Sequence, residues 1–477
     1  MWDISWKVEG TVGKMKKGYG RVGGVTAVIW LVCLMLLGAC NRNSIMDLLD
    51  NNPTDQKAEG TPEDNSVVLQ VVSTFAGNDG SAQNYHDACL SWAEQTGVTL
   101  VDMSSISDET FKTKVITDFE TGSEPDVLFF FNGADANGFI EAGKVVPLEE
   151  IRESFPDFAS NLDEGMIPGS LVDGKIYAIP VNGYWEALFV NCKVLEEAGV
   201  EMPGADYTWE QFLQDCEKIK EAGYVPIAAS LGNIPHYWWE YAIFNHTTTW
   251  NHQTIPESVE EPLGQMWVEG MEDIKDLYDR GFFPANTNSA TDEQIFAMFT
   301  NNKAAFLLDG SWRVGSIVYA CRKYLNNPNL LDEERLEQFD VTYVPTMGNR
   351  EATDLIGGVS MGYYITRRAW EDEETREAAV SFVSYMTSDE IASQFVQHTA
   401  SVLKNPPKVN TEDYNSLQLK AIEMIRNSTS LTGAVQDLFE GECRESTFDG
   451  MPDIVTGKVA ASDAVAKGLR IYNVNKR

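Results

Sequence analysis

The sequence lacks paired cysteines, histidine clusters and basic patches. Of its 477 residues seven are cysteines and five are histidines. The cysteines form no Cys-x-x-Cys pair, and their scattered spacing indicates neither a disulfide scaffold nor a zinc site, so we predict no metal. Acidic residues outnumber basic ones by 72 to 36, which gives a net charge of −36. This acidity argues against nucleic acid as a partner, because phosphate contacts need clustered lysine and arginine.

Recognisable enzyme motifs are also missing. The chain contains no His-Glu-x-x-His and no P-loop, and we predict that it is not an enzyme and binds no cofactor. A secreted glycan-active enzyme stays open as an alternative. A glycosidase needs only two carboxylates that face each other across a glycosidic bond, and an acidic chain can supply such a pair.

The N-terminal region has the layout of an export signal. Basic residues between Lys14 and Arg21 precede an apolar run over 25–37, which is short for a membrane span. The run ends in Leu37-Gly38-Ala39-Cys40, which resembles the lipobox of bacterial lipoproteins. This resemblance implies a signal peptide over 1–39 and a lipid anchor on Cys40. An uncleaved membrane helix is the alternative, and translation from Met15 is a further hypothesis.

Residues 40–65 read as a flexible tether, because they are polar and poor in bulky hydrophobic residues. The folded body follows. Strands are predicted over 67–75, 98–103 and 126–131, and helices over 82–96 and 108–121. This alternation predicts an α/β fold with a mainly parallel sheet. Capping boxes are expected at Thr208 with Gln211 and at Thr387 with Glu390.

Three later segments interrupt the strand pattern with proline or glycine. They lie at 180–183, 357–365 and 401–410. The first follows the turn at Asp173-Gly174 and separates two predicted strands. Such breaks are typical of a chain that leaves one packed body and enters another, and ligands often bind at the seam between two bodies.

Several motifs, in order, resemble those of family 1 extracellular solute-binding lipoproteins of bacterial ABC importers, the group that includes maltodextrin-binding protein. The matching pieces are Gly122-Ser-Glu-Pro-Asp-Val, Gly138-Phe-Ile-Glu-Ala-Gly-Lys, Asp173-Gly-Lys-Ile-Tyr-Ala-Ile-Pro, Leu188-Phe-Val-Asn191, Tyr207-Thr-Trp-Glu-Gln-Phe, Lys303-Ala-Ala-Phe-Leu-Leu-Asp-Gly-Ser-Trp and Val455-Thr-Gly-Lys. Each motif is weak alone. Their order and spacing carry the resemblance, which covers about residues 66–477.

The resemblance implies a type II periplasmic-binding-protein-like fold with two α/β lobes and a three-segment hinge. The first lobe would comprise 66–180 and 363–405, and the second 181–362 and 406–477. The implied function is a lipid-anchored receptor on the extracellular face of the cell membrane. It would capture a carbohydrate, with an oligosaccharide expected, and deliver it to the transmembrane subunits of an ABC permease. A non-sugar solute, or an adhesin or sensor role, stays open.

Candidate ligand contacts follow from pyranose chemistry, since C–H faces stack on aromatic rings and hydroxyls bind polar groups. The resemblance implies Trp312 as the stacking residue of the second lobe, with Asp309 in the same motif. It also assigns aromatic subsites to the cluster around residues 237–239 and first-lobe contacts to the loop after the first strand. The candidate contacts are Trp312, Asp309, Tyr237, Trp238, Trp239, Tyr184, Glu186, Phe75, Asn78 and Asp79.

Overall fold

The computed structural model describes residues 67–475, apart from 78, 108, 235, 323–329, 397–398, 400, 407–411, 413 and 440. The predicted signal peptide, Cys40 and the tether lie outside the described residues, as does Asn78. Residues 66–477 form one compact unit. Across the described part of the chain, every helix is too short or too polar to cross a membrane.

The first part of the described chain alternates strands and helices, which confirms the predicted α/β pattern. Its elements are β1 (Val68–Val72), α1 (Ala82–Thr96), β2 (Thr99–Asp102), α2 (Glu109–Thr121), β3 (Val127–Phe131), α3 (Asn137–Glu141), α4 (Leu148–Ser154), β4 (Tyr184–Asn191), α5 (Cys192–Ala198), α6 (Trp209–Glu221) and β5 (Val225–Ala228). Helix α1 ends as expected at Gly97, whose φ of 72° lies in the left-handed region that glycine tolerates.

The remaining elements are richer in helices. They are α7 (His236–His246), α8 (Pro262–Asp279), α9 (Asp292–Thr300), β6 (Ala304–Gly310), α10 (Arg313–Ala320), α11 (Glu333–Leu336), β7 (Phe339–Thr342), β8 (Leu355–Gly358), β9 (Met361–Ile365), α12 (Arg367–Glu371), α13 (Glu373–Met386), α14 (Asp389–Phe395), α15 (Ser416–Arg426), β10 (Leu431–Thr432), α16 (Gly441–Thr447), α17 (Met451–Val455) and α18 (Ala461–Asn475). A 3₁₀ turn, Val435–Leu438, follows β10.

The described strands form two separate sheets. The first has the order β2-β1-β3-β9 and the second β10-β8-β4-β6-β5, with β7 paired to β4. Strands β1, β2 and β3 are parallel, as their helical connections require. Strand β9 returns antiparallel to β3. In the second sheet β4 is antiparallel to β6, β7 and β8.

Pairing switches between the sheets at the proline and glycine breaks. Ile179 still pairs with Tyr363 of the first sheet, whereas β4 begins at Tyr184 in the second. Between Gly358 of β8 and Met361 of β9 the chain returns to the first sheet. The lobe boundaries drawn from the sequence stay a prediction.

The central strands β3 and β4 are buried on both faces, since successive side chains of a strand point to opposite sides and nearly all of theirs are buried. In β4, Trp185, Ala187 and Phe189 face one core cluster, and Leu188 and Val190 face another. The unbroken apolar runs of the sequence therefore reflect strands covered by helices on both sides.

Two local predictions were wrong. The cap of α14 is Ser388, which accepts a hydrogen bond from the Ile391 N–H, and not Thr387. The Thr387 hydroxyl instead donates to the Val383 carbonyl, 2.7 Å away. The segment before Pro180 makes only the bridge at Ile179 and forms no strand. The capping box at Thr208 is confirmed.

Candidate functional site

Three aromatic side chains form a patch, Trp312, Tyr184 and Tyr237, where β6, β4 and α7 meet. The ring centroid of Trp312 lies 6.5 Å from that of Tyr184 and 6.1 Å from that of Tyr237. All three side chains are partly exposed. The aromatic patch therefore presents apolar ring surface at the end of β6, where it can stack on the face of a ligand.

Gly310 makes room for the Trp312 ring. A Cβ atom on Gly310 would lie 2.1 Å from the nearest ring atom, so only glycine fits beneath the indole. Gly310 pairs with Glu186 across the β4–β6 ladder, and paired residues project their side chains from the same face. The indole of Trp312 thus covers the sheet beside the Glu186 side chain.

Glu186 is a buried carboxylate with an unsatisfied oxygen. Glu186 is 1% exposed, and its Oε2 has no hydrogen-bond partner among the described residues. Burial raises the pKa of Glu186 well above its ordinary value, and the neighbouring acids Glu240, Asp437 and Asp309 raise it further. Burying a carboxylate oxygen without a partner costs free energy. A hydrogen-bond donor or a cation bound at Oε2 would therefore be stabilising.

A second buried acid, Glu240, anchors the turn that carries Asp437. The Glu240 carboxylate accepts the N–H groups of Val435 at 3.0 Å and of Gln436 at 2.6 Å. It also lies 3.0 Å from Nε2 of His252. Helix α7 therefore fixes both Tyr237 and the backbone around Asp437. Burial raises the pKa of Asp437 to about 7, and Glu240 adds to the effect.

Asp309 contacts an arginine, which accounts for its burial. Its carboxylate accepts Nε of Arg313 at 2.6 Å and the N–H of Gly310 at 2.8 Å. Arg313 also donates to both carboxylate oxygens of Asp292. Burial raises the pKa of Asp309 to about 6, against the opposing effect of Arg313. Asp309 thus positions the start of α10, which carries Trp312 at its cap.

Loops after β1 and β3 meet the second sheet's elements at close range. A Cβ atom on Gly315 would lie 2.3 Å from the Cα of Gly80, and one on Gly133 would lie 2.4 Å from the Asp437 carbonyl oxygen. The Asp135 carboxylate lies 3.6 Å from Arg444. We call this line of contacts the seam.

The loop after β1 brings one predicted residue to the seam and keeps another in the core. Asp79 accepts the Ser81 N–H at 2.8 Å. Burial raises the pKa of Asp79 to about 6, and the nearby charge of Arg313 opposes this shift. Phe75 is only 8% exposed and packs on Phe129, with ring centroids 4.7 Å apart. Its position in the core removes it from the surface of the seam.

Trp238 and Trp239 also lie in the core. Trp239 is fully buried, with its ring centroid 3.8 Å from that of Phe448. Trp238 is 2% exposed and stacks on Phe212. Consecutive residues of a helix point about 100° apart, so Tyr237 can face the aromatic patch while its two neighbours pack inward. The sequence grouped all three because they are adjacent.

The sequence did not single out Asp437, Glu240 or Arg313. Asp437 lies in a short turn far along the chain and comes to the seam only through tertiary contacts. Glu240 carried a usable signal, because a lone carboxylate within the apolar helix His236–His246 must find buried partners.

Residues 80–393 match the family of bacterial extracellular solute-binding proteins. The chain belongs to this family. The match covers most of the folded body and spans the first two breaks, 180–183 and 357–365, whereas the third, 401–410, lies beyond it.

Three curated relatives are similar at low identity. A binding protein of Brucella abortus (strain 2308) is 20% identical over 381 residues, which is 79% of this chain and 85% of the relative. The sn-glycerol-3-phosphate-binding periplasmic protein of Rhizobium meliloti (strain 1021) is 23% identical over 42% of this chain and 48% of its own length. The multiple sugar-binding protein of Streptococcus mutans serotype c (strain ATCC 700610 / UA159) is 20% identical over 63% and 67%.

Among solved structures, a chitin oligosaccharide binding protein superposes with a TM-score of 0.70 and 19% identity. The superposition covers 86% of this chain and 98% of that protein. The fold is that of the two-lobed type II substrate-binding proteins, which confirms the predicted architecture.

Closure of the seam can be tested at Gly315. A Gly315→Ala change places a methyl group against the Gly80 backbone, and backbone cannot move aside as a flexible side chain can. We expect the variant to hold the seam apart and to show a larger radius of gyration by small-angle X-ray scattering. The matched control is Gly138→Ala, because a Cβ there meets no atom within 4 Å. Identical scattering for Gly315→Ala and the parent chain would contradict the seam contacts.

The raised pKa of Asp437 predicts a pH dependence of stability. Its folded-state pKa of about 7 exceeds the ordinary value of 3.8, so the folded state binds the proton more tightly. The resulting stabilisation is present at acidic pH and disappears as pH rises through 7. The melting temperature of the parent should therefore fall relative to that of Asp437→Asn as the pH rises from 5 to about 8. A difference that is constant across this range would contradict the shift.

Proposed function

We propose that this chain is the solute receptor of an ABC importer and that it captures a carbohydrate at the seam. The observation that carries the proposal is the aromatic patch beside the buried carboxylate of Glu186. Pyranose rings combine apolar C–H faces with a rim of hydroxyl groups. Partly exposed rings next to an unsatisfied acceptor offer partners to both.

The relatives support the same solute class. A structural neighbour binds chitin oligosaccharide, and a relative is named as a multiple sugar-binding protein. Family membership implies a permease as partner, since extracellular solute-binding proteins serve importers. In this proposal the segment around 180–183 is one of three hinge segments, and the lobe boundaries are those drawn from the sequence.

One relative favours a different solute. The Rhizobium meliloti protein is named for binding sn-glycerol-3-phosphate, so a phosphorylated compound is a second candidate. The acids at the seam disfavour it. Glu186 is surrounded by Glu240, Asp437 and Asp309, and a phosphate placed there would add repulsion.

A thermal-shift screen distinguishes these candidates. The compact unit Ser66–Arg477 is heated with neutral mono- and oligosaccharides and with glycerol 3-phosphate. A bound solute raises the melting temperature by mass action, so we expect a shift with a glycan and none with the phosphate. Incubation with the bound glycan should release no product. A shift with the phosphate alone, or cleavage of the glycan, would contradict the proposal.

Replacement of the stacking ring gives a sharper test. We expect Trp312→Ala to weaken glycan binding by about tenfold or more, since truncation of an aromatic anchor commonly costs ~2 kcal/mol. The melting temperature of the unbound protein should stay near that of the parent, because Trp312 is only partly buried. The control is Trp250→Ala, as this residue is 96% exposed. Equal affinity of the two variants would remove Trp312 from the site.

We also propose that Cys40 carries a lipid that holds the receptor at the outer face of the cell membrane. Support comes from the lipobox-like Leu37-Gly38-Ala39-Cys40 and from the extracellular family. Expressed in a bacterium with labelled palmitate, the chain should incorporate label and fractionate with membranes. Cys40→Ala should lose the label, whereas Cys33→Ala should keep it. Equal labelling of both variants would contradict the anchor site.

A further inference from the structure

We propose that the seam selects a carbohydrate that bears a protonated amine, and that Glu186 and Asp437 form the subsite for this amine. The inference rests on the proposed function, because it names the substrate class of the same site. Three observations support it: the position of the Glu186 carboxylate, the unsatisfied Oε2 of that carboxylate, and the negative sign of the charges around it.

Glu186 lies where a stacked sugar would present its substituents. Its side chain projects from the sheet face that the Trp312 indole covers, since Gly310 is its paired residue. Tyr184, two residues earlier on β4, points to the same face. A pyranose on the aromatic patch would therefore lie on the same side of the sheet as Oε2 of Glu186, which has no partner among the described residues.

The charges around Glu186 favour a cation over a neutral donor. The groups that interact with its carboxylate are Glu240 on α7, Asp437 in the 3₁₀ turn and Asp309 on β6, all acidic. The nearby Arg313 is engaged by Asp309 and Asp292. A sugar hydroxyl would satisfy Oε2 without offsetting the negative charges of the neighbouring acids. An ammonium group would donate the hydrogen bond and offset the repulsion as well.

Asp437 supplies the second carboxylate from the edge of the seam. The Glu240 carboxylate accepts two backbone hydrogen bonds from the turn that carries Asp437. The same turn packs on Gly133, which follows β3 of the first sheet. The charged groups that act on Asp437 are Glu240, Lys112, Asp135 and Arg444. Lys112 and Arg444 both form ion pairs with Asp135, so the negative charge of Asp135 partly offsets their attraction for the Asp437 carboxylate. The subsite as a whole is therefore acidic.

Matched glycans that differ only in acetylation test the inference. Calorimetry at neutral pH compares oligomers of glucosamine and of galactosamine with their fully N-acetylated counterparts of equal length, using Ser66–Arg477. We expect an amine-bearing oligomer to bind about tenfold tighter or more than its acetylated partner, as charge-assisted hydrogen bonds are the stronger class. Acetylation removes the charge and replaces the ammonium with a bulkier neutral amide.

Isosteric variants locate the effect. Glu186→Gln should abolish the preference for the amine and should melt no lower than the parent without ligand, because glutamine has nearly the same shape and cannot acquire a buried charge among acidic neighbours. Asp437→Asn should reduce the preference as an independent second variant. Glu201→Gln, an exposed carboxylate, is the matched control and should retain the full preference. It also controls for non-specific attraction of cations to a strongly acidic chain.

The outcomes separate the two claims. Equal or tighter binding of the acetylated oligomers, or a preference that survives in both Glu186→Gln and Asp437→Asn, would overturn the amine subsite. If neutral glycans bind in the broader screen and no amine-bearing glycan does, the inference fails while the proposed function stands. If no glycan of either kind binds, the proposed function fails as well.

Discussion

The site depends on one pairing in the second sheet, that of Glu186 on β4 with Gly310 on β6. Because Gly310 has no side chain, the Trp312 indole can lie directly against Gly310. The same pairing places the Glu186 side chain on the face that this ring covers, and its Oε2 has no hydrogen-bond partner among the described residues. Any larger residue at 310 would displace the indole, and with it the surface on which a solute could stack.

Helix α7 links this surface to the seam. Its first turn supplies Tyr237 to the aromatic patch, and one turn later Glu240 holds the backbone of the turn that carries Asp437. That turn touches Gly133, which follows β3 of the other sheet. The same helix therefore contributes to the aromatic patch and to the contacts at the seam, so a solute bound on the patch would lie beside those contacts.

Much of the fold could be predicted from the sequence because its signals are local. Apolar runs such as Val127–Phe131 and the capping box at Thr208 depend on neighbouring residues, and the structure confirms both. The pairing of β4 with three antiparallel partners depends on residues far apart in the chain, and no local pattern encodes it. Thr387 was an acceptable cap by residue type, yet Ser388 occupies the cap.

The candidate site was less predictable than the fold. Trp312, Tyr184 and Tyr237 were all named from the sequence, and the structure brings them together. Trp238, Trp239 and Phe75 were named for their aromatic character, which serves a core as well as a ligand. Asp437 was missed, because its proximity to Glu186 arises only when a turn near the end of the chain folds back onto α7.

The central claim is that a carbohydrate binds at the seam and closes it. Hydrogen–deuterium exchange of Ser66–Arg477 with and without a saturating glycan tests this most directly. We expect new protection at the backbone amides of residues 79–81, 312–315 and 435–437, which lie at or beside the seam. Protection confined to other surfaces, or no change at these amides when the glycan is bound, would contradict the account.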